Sequence, residues 1–542
     1  MRGLMMDRPL MVSALLEHAG EHHGSTEIAA RDFDGTIFRY DYAAALVRAK
    51  QLAQAIGALG IAPGERVGTL AWNSHRHFEM FYGVSGTGAV LHTINPRLHR
   101  DQLLYIIDHC EDSWLFCDLE TLPLVESLAP DLKSVRGFCL MADAADLPKH
   151  TSLPELLCYE TLLGEQDGDY EWPDFDEYAA STICYTSGTT GNPKGVVYSH
   201  RSTVLSVLTL GAADCIPGYT HGALETVLGL SPMFHGNAWQ FPYIGPLLGW
   251  KLVWPGRAYD PASLTELLTE ERCTIMSGVP TFWLMLLDHL EKTGTKLPHL
   301  RMSLSSGAPP PRWMVETLGE KYGVELMNTW GMTEALGGSK GTLNPGDGAL
   351  PPDVRTDRMM KSGRGVFLID QRAVDDDGNA LPRDGKSQGH LQVRGPWIAS
   401  GYYKEQQLGE GDWLDTGDVA VFDPDGYFTI VDRAKDVIKS GGEWISSVQI
   451  ENLASGHPEI AMAAVIGVHH PKWQERPLLI CVRNPGSEIG GDEILAFLSG
   501  KIAKWWMPDD VQFVDALPMT GTGKIHKLTL REQFEDYRLP GT

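Results

Sequence analysis

The sequence has no paired cysteines, no long apolar run and no excess of positive charge, and each absence removes a class of function. Its eight cysteines stand at 110, 117, 139, 158, 184, 215, 273 and 481. With no CxxC pair among them, neither a zinc site nor a disulfide framework is expected, which suits a reducing cytoplasm. The opening run MRGLMMDRPLMVSALLEHAG is broken by Asp7 and Glu17, so no export signal is expected. The apolar stretch IAMAAVIGV at 460–468 is about half as long as a membrane span, and reads as a buried strand. Forty-five Lys and Arg against 70 Asp and Glu give a formal net charge of -25. The average surface therefore repels nucleic acid and anionic membrane, and any polyanionic ligand must be held by local lysines and backbone N–H groups. Internal repeats and low-complexity tracts are missing too.

What is present is a chain of 542 residues, 43% hydrophobic and 21% charged, long enough for more than one core. Helical spacing over residues 43–59 followed by the strand-like GERVGTLAWN from Gly64 begins an alternation that runs to about residue 330. That pattern predicts an α/β fold of layered subdomains. Near 360 the texture turns to strands and tight turns, with GVFLID, DDDGN, GHLQVRG and VAVFDPDGYFTIVD, predicting a β-rich subdomain over about 360–432. Mixed α+β texture returns after Arg433, which puts a domain boundary at 432–436 and divides the chain into 1–432 and 433–542.

Residues 185–196 read YTSGTTGNPKGV. Glycines, hydroxyls and one lysine so close together suit an anion, because backbone N–H groups approach closely where side chains are absent. The spacing is not that of a Walker loop: counted from Gly188, Pro193 stands where the second glycine belongs and Gly195 where the magnesium-binding hydroxyl belongs. The β-branched and aromatic residues on both sides predict a strand-to-strand connection. Three further signatures follow: NTWGMTEA at 328–335, the tripeptide TGD at 416–418, and PMTGTGKI at 518–525. Each taken alone also reads as a helix cap, a turn or an exposed lysine.

Taken together and in this order, with SSGAPP at 305–310, VRGPWIASGYY at 393–403 and DRAKDVIKSGGEWIS at 432–446, they resemble the acyl-adenylate-forming superfamily of acyl-CoA synthetases, luciferases and peptide-synthetase adenylation domains. The likeness covers nearly the whole chain. It implies that a carboxylate attacks the α-phosphate of ATP to give an acyl-AMP and pyrophosphate, after which a thiol, here coenzyme A, displaces AMP. The resemblance assigns Thr186, Ser187, Gly188, Thr189, Thr190 and Lys194 to the triphosphate, Glu334 to Mg2+, and Thr333 to the α-phosphate. Gly307, Ala308, Pro309 and Trp330 would flank adenine, while Asp418 and Arg433 would hold the ribose. Lys524 is implied as the catalytic cation of adenylation, with Thr186, Glu334 and His235 beside it as catalytic residues. A small C-terminal domain is implied to rotate about a hinge at Lys435, carrying Lys524 away and bringing Gly441 and Gly442 to the thiol tunnel. His235 aligns with a gate between acyl pocket and tunnel; Gly236, Trp239, Phe241 and Gly331 are candidates for the acyl site.

Among members, VRGPWIASGYY, DVIKSGGEWISSVQIEN and HHPKWQERPLL look most like bacterial medium-chain fatty-acyl-CoA ligases and their 3-methylmercaptopropionate-activating neighbours. A short- to medium-chain aliphatic acid is therefore expected. A luciferase is disfavoured by an ending, Leu539-Pro-Gly-Thr542, unlike Ser-Lys-Leu. A stand-alone adenylating enzyme and a non-catalytic nucleotide or acyl sensor remain as alternatives. Glu443 stands where the resemblance implies that some acetate-type members carry an arginine for the CoA phosphate, so Lys439, Arg476 or other basic residues are expected to substitute. Homodimers are common among such ligases, and no segment of the sequence marks an interface.

Overall fold

The computed structural model describes residues 1–542 except 2, 187–191, 213–224, 342, 344, 345, 410, 442, 520–523, 541 and 542, and the side chain of 443. Two seven-stranded sheets dominate. One runs Glu325–Thr329, Met302–Ser306, Ile275–Gly278, Thr226–Gly229, Lys251–Trp254, Glu27–Arg31, Ile37–Asp41. The other runs Leu156–Cys158, Gly137–Leu140, Asp112–Cys117, Arg66–Leu70, Val90–Thr93, Ala180–Tyr185, Gly195–Ser199. In each sheet every neighbouring pair is parallel except the last, which is antiparallel. Parallel strands need crossover helices and are covered on both faces, which is why GFCL, LVW and TICY are continuously apolar or β-branched.

Helices Tyr42–Ala58, His75–Gly83 and Phe241–Leu248 join the two sheets. One core cluster takes Ile28 and Ala30 from the first sheet, Val67 and Leu91 from the second, and Leu52, Phe78, Tyr82 and Tyr243 from these helices. Helix His75–Gly83 is buried at every residue, so its polar groups need partners. Glu79 receives Arg48 Nε at 2.7 Å and the Tyr159 hydroxyl at 2.7 Å, while Arg76 Nε reaches Glu160 at 2.7 Å. Side-chain caps set the entries of two of the helices: Asp41 accepts from Ala44 N, and Ser74 from His77 N.

Beyond residue 360 the strands Asp370–Val374, Gln388–Arg394, Leu414–Phe422 and Phe428–Arg433 form an antiparallel sheet. GVFLID is not a strand within it. Arg364–Gly365 pairs with Ser339–Lys340, Asp370–Val374 pairs with Gln388–Arg394, and the link between them turns sharply, with Ile369 N donating to Val366 O at 3.1 Å. Phe367 at its tip is 75% exposed, so the apolar run marks a change of sheet rather than a buried element. The chain after Arg433 builds its own sheet from Ile438–Ser440, Glu443–Ile445, Ile460–His470, Gln474–Arg483 and Asp510–Phe513. Residues 460–468 lie in a strand, as their composition predicts. Two core clusters, one containing Val465 and Leu479 and the other Ala464 and Leu478, cover opposite faces of this sheet. No described helix is long and apolar enough to cross a membrane.

Candidate active site

The glycine-rich stretch joins two antiparallel strands, Ala180–Tyr185 and Gly195–Ser199. At its base Thr186 N donates to Lys194 O at 2.9 Å, and Lys194 N donates to Thr186 Oγ1 at 3.2 Å. Ser187, Gly188, Thr189 and Thr190 lie outside the described residues, so the structure places only the two ends of the expected phosphate loop. Lys194 is half-exposed; its ammonium lies 3.0 Å from Glu405 and 4.6 Å from the centre of the Tyr402 ring.

Two other segments meet this hairpin. Glu334 is 6% exposed, and its Oε1 accepts from the Tyr402 hydroxyl at 2.6 Å. Thr333, also buried, offers its carbonyl to the Tyr198 hydroxyl at 2.6 Å. Backbone bonds complete the junction: Ala399 N to Glu334 O at 2.8 Å, and Tyr403 N to Gly195 O at 2.8 Å. Tyr402 and Glu405 thus belong to the site, although only their position in and beside VRGPWIASGYY hinted at it.

A second group gathers where strands Met302–Ser306 and Glu325–Thr329 end, the end of a parallel sheet at which ligands bind. Gly307 has φ of +88°, and the Lys524 side chain crosses directly above it; a Cβ there would sit 2.8 Å from Lys524 Cε and 3.2 Å from Nζ. Only glycine permits both the backbone conformation and that approach. Gly307 and Ala308 are exposed, and Pro309 is half-buried. Trp330 is buried, and its Nε1 donates to Asp418 Oδ2 at 2.8 Å, while Arg433 Nε holds Asp418 Oδ1 at 2.9 Å. Burial pushes the Asp418 carboxyl up, and Arg433 and Trp330 pull it back. Burial, helped by the Arg433 charge and opposed by Asp418, brings the Lys524 ammonium down to about 8. The structure therefore joins Gly307, Asp418, Arg433 and Lys524, residues separated by more than two hundred positions in the chain.

His235 is the third feature. Burial first, and then the Lys524 charge, lower its imidazole to about 4, so it is uncharged at neutral pH. Residues 236–240 all have positive φ, between 50° and 73°, and four of the five carry side chains. A left-handed turn costs a non-glycine residue about 1–2 kcal/mol, so this one must be held by its surroundings. It ends with the Trp239 ring lying on Gly331, where a Cβ would come within 2.6 Å of the indole. Trp239 and Phe241, with Leu210, Ile244, Met327 and Trp330, line an apolar cavity. Of the four candidates for the acyl site, Trp239 and Phe241 line this cavity and Gly236 and Gly331 do not; nor does the expected gate residue His235.

The remaining expectations fall in the C-terminal part. Gly441 has φ of +61° and donates its N–H to Trp473 O at 2.9 Å; Gly442 lies outside the described residues. Lys435 is exposed in the turn after Arg433, and partial burial of its ammonium, opposed by Asp436 and helped by Arg433, lowers it. Arg476, one of the basic residues expected to substitute for a CoA-binding arginine, is engaged within the C-terminal part. Its guanidinium is spent on Asp509 at 2.6 Å, on the carbonyls of Trp505 and Met507, and on Ser440. Lys439 remains exposed.

Comparisons with known proteins identify the family. The family described as AMP-binding enzyme matches residues 16–403, and its C-terminal domain matches 449–524. The chain belongs to the AMP-binding enzyme family. A 3-methylmercaptopropionyl-CoA ligase of Ruegeria lacuscaerulensis is 47% identical over 541 residues, with 99% of each chain covered. A medium-chain-fatty-acid–CoA ligase of Ectopseudomonas oleovorans is 43% identical over 543 residues, covering 99% of this chain and 98% of the relative. Among solved structures, ATP-bound MatB from Rhodopseudomonas palustris superimposes with a TM-score of 0.79 at 26% identity, covering 97% of this chain and 99% of that one.

Proposed function

We propose that this chain is an AMP-forming acyl-CoA ligase: a carboxylate and ATP give an acyl-AMP and pyrophosphate, and coenzyme A then gives the thioester and AMP. The observation that carries this reading is the seating of Lys524 on Gly307, beside Asp418 and Arg433. Both reactants of the first step are anions. Its barrier is lowered chiefly by holding them together against fixed positive charge. Lys524 supplies that charge from the C-terminal side and Lys194 from the phosphate loop. Asp418 and Arg433 take the ribose hydroxyls, with the Trp330 edge fixing the Asp418 carboxylate. The exposed Gly307 and Ala308 leave room for a flat base.

Glu334 fits a magnesium ion. Its carboxylate is buried, one oxygen is held by Tyr402, and the other accepts no hydrogen bond among the described residues. Hard carboxylate and phosphate oxygens suit this cation, which when bound would supply positive charge against the phosphates. For the second step, residues 433–542 are assigned as a mobile unit hinged at Lys435 that exchanges Lys524 for the Gly441–Gly442 loop. His235 is assigned the gate between acyl pocket and thiol tunnel; uncharged at neutral pH, it would add no charge to either.

The cavity walls of Leu210, Phe241, Ile244 and Met327 favour an aliphatic acid of short to medium length. Within that class the thioether 3-methylmercaptopropionate is a strong candidate, since a polarisable sulfur packs well against Trp239 and Trp330. The test is carboxylate-dependent ATP–pyrophosphate exchange with magnesium over acetate through dodecanoate, benzoate and 3-methylmercaptopropionate, repeated with CoA while thioester is assayed. Exchange with aliphatic acids and CoA-dependent thioester is the expected result. ATP binding without exchange for any acid would overturn the ligase reading in favour of a sensor.

A further inference from the structure

The left-handed turn at 236–240 calls for a restraint beyond its own backbone bonds, among them Ala238 N to His235 O at 3.1 Å and Gln240 N to Asn237 O at 3.0 Å. One side chain leaves the turn for another element. Asn237 is wholly buried; its Nδ2 donates to Thr182 Oγ1 at 2.8 Å, and its Oδ1 accepts from Cys184 Sγ at 3.2 Å. Cys184 in turn lies 3.2 Å from the Thr93 hydroxyl of the adjacent strand. Thr182 and Cys184 sit on strand Ala180–Tyr185, which leads into the phosphate loop. Two residues before Asn237 stands His235, which feels the Lys524 charge; two residues after it stands Trp239, which walls the apolar cavity and presses on Gly331. One buried amide thus ties the cavity wall to the strand that carries the phosphate-binding residues.

Resting on the ligase reading, we infer that Asn237 is a positioning residue that fixes the length of the acyl cavity by locking the turn that carries Trp239. Asparagine is suited to this place twice over. It tolerates a left-handed backbone better than other residues with side chains, and its amide offers a donor and an acceptor at once to two different partners. With the amide gone, the turn is free to relax toward right-handed backbone. The indole then leaves Gly331, and the wall no longer defines where an acyl chain must stop. Strand Ala180–Tyr185 keeps its pairing with Gly195–Ser199, so ATP binding is spared.

Asn237→Gly keeps the backbone free to be left-handed and removes only the amide, whereas Thr182→Val removes one partner and leaves residue 237 untouched. For each variant and for the double variant, kcat/KM is measured over a ladder of straight-chain acids, with the KM for ATP alongside. The expected result is that acids two methylenes longer than the preferred one gain about tenfold relative to it in either single variant. The double variant should show no further gain, and the KM for ATP should stay the same. An even loss of rate over all acids, or an unchanged ratio, would assign Asn237 a merely structural role and overturn the inference. Thr182→Val is nearly isosteric and keeps the test available if Asn237→Gly folds poorly. A wild-type chain that activates no acid would remove the ligase reading itself, while an active wild type with unaltered ratios would remove only this assignment.

Discussion

In the ligase reading proposed above, the chemistry at the residue scale turns on the charge of Lys524. Its ammonium is brought down to about 8 by burial and Arg433, so the charged form holds below that pH and is lost as the pH rises through it. Because kcat/KM reports the free enzyme, kcat/KM for acyl-AMP formation should fall above pH 8. Lys524→Arg, whose guanidinium stays charged, should flatten that alkaline limb even if it is slower. A limb that persists in the arginine variant would show that another group titrates there. Trp330 gives a second residue-level test. Trp330→Phe keeps the ring against Phe428 and removes the bond to Asp418. A hydrogen bond to a buried carboxylate is worth about 2 kcal/mol, so the KM for ATP should rise roughly thirtyfold. An unchanged KM would mean that Asp418 does not depend on the indole for its position.

Segments rather than single residues decide how the site is assembled. The hairpin carrying the phosphate loop was legible because β-branched strands flank a glycine-rich turn, and residues 460–468 were legible because an apolar run that short cannot span a bilayer. GVFLID misled because hydrophobicity alone does not separate a buried strand from a turn between two sheets. The left-handed turn after His235 left no trace in composition: only one of its five residues is glycine, and its side-chain contacts run to Thr182, Cys184 and Gly331, which are remote in sequence. Tyr402 was likewise visible as part of a motif, but its bond to Glu334 depends on how residues 398–403 fold back onto the hairpin. That bond is testable. Tyr402→Phe should raise the magnesium concentration needed for half-maximal adenylation, because the Glu334 carboxylate loses the group that orients it. An unaltered magnesium dependence would separate Glu334 from the metal.

For the whole molecule, the order of motifs along the chain was enough to reveal the family and an α/β architecture, since local texture survives in the sequence. Contacts between distant segments were not readable in the same way. That Lys524 crosses Gly307, and that Arg476 is consumed inside the C-terminal sheet, are consequences of how separate sheets come together. The same long-range contact defines the central claim, that one site serves two half-reactions by exchanging Lys524 for the Gly441–Gly442 loop. The most direct measurement is on Lys524→Ala, assayed separately for acyl-AMP formation from acid and ATP and for thioester formation from supplied acyl-AMP and CoA. Losing a preorganised cation of this kind costs roughly 10² to 10³ in rate, so acyl-AMP formation should fall by that factor while thioester formation from acyl-AMP persists near the wild-type rate. An equal loss in both half-reactions would contradict the account, because Lys524 would then be needed where the exchange removes it.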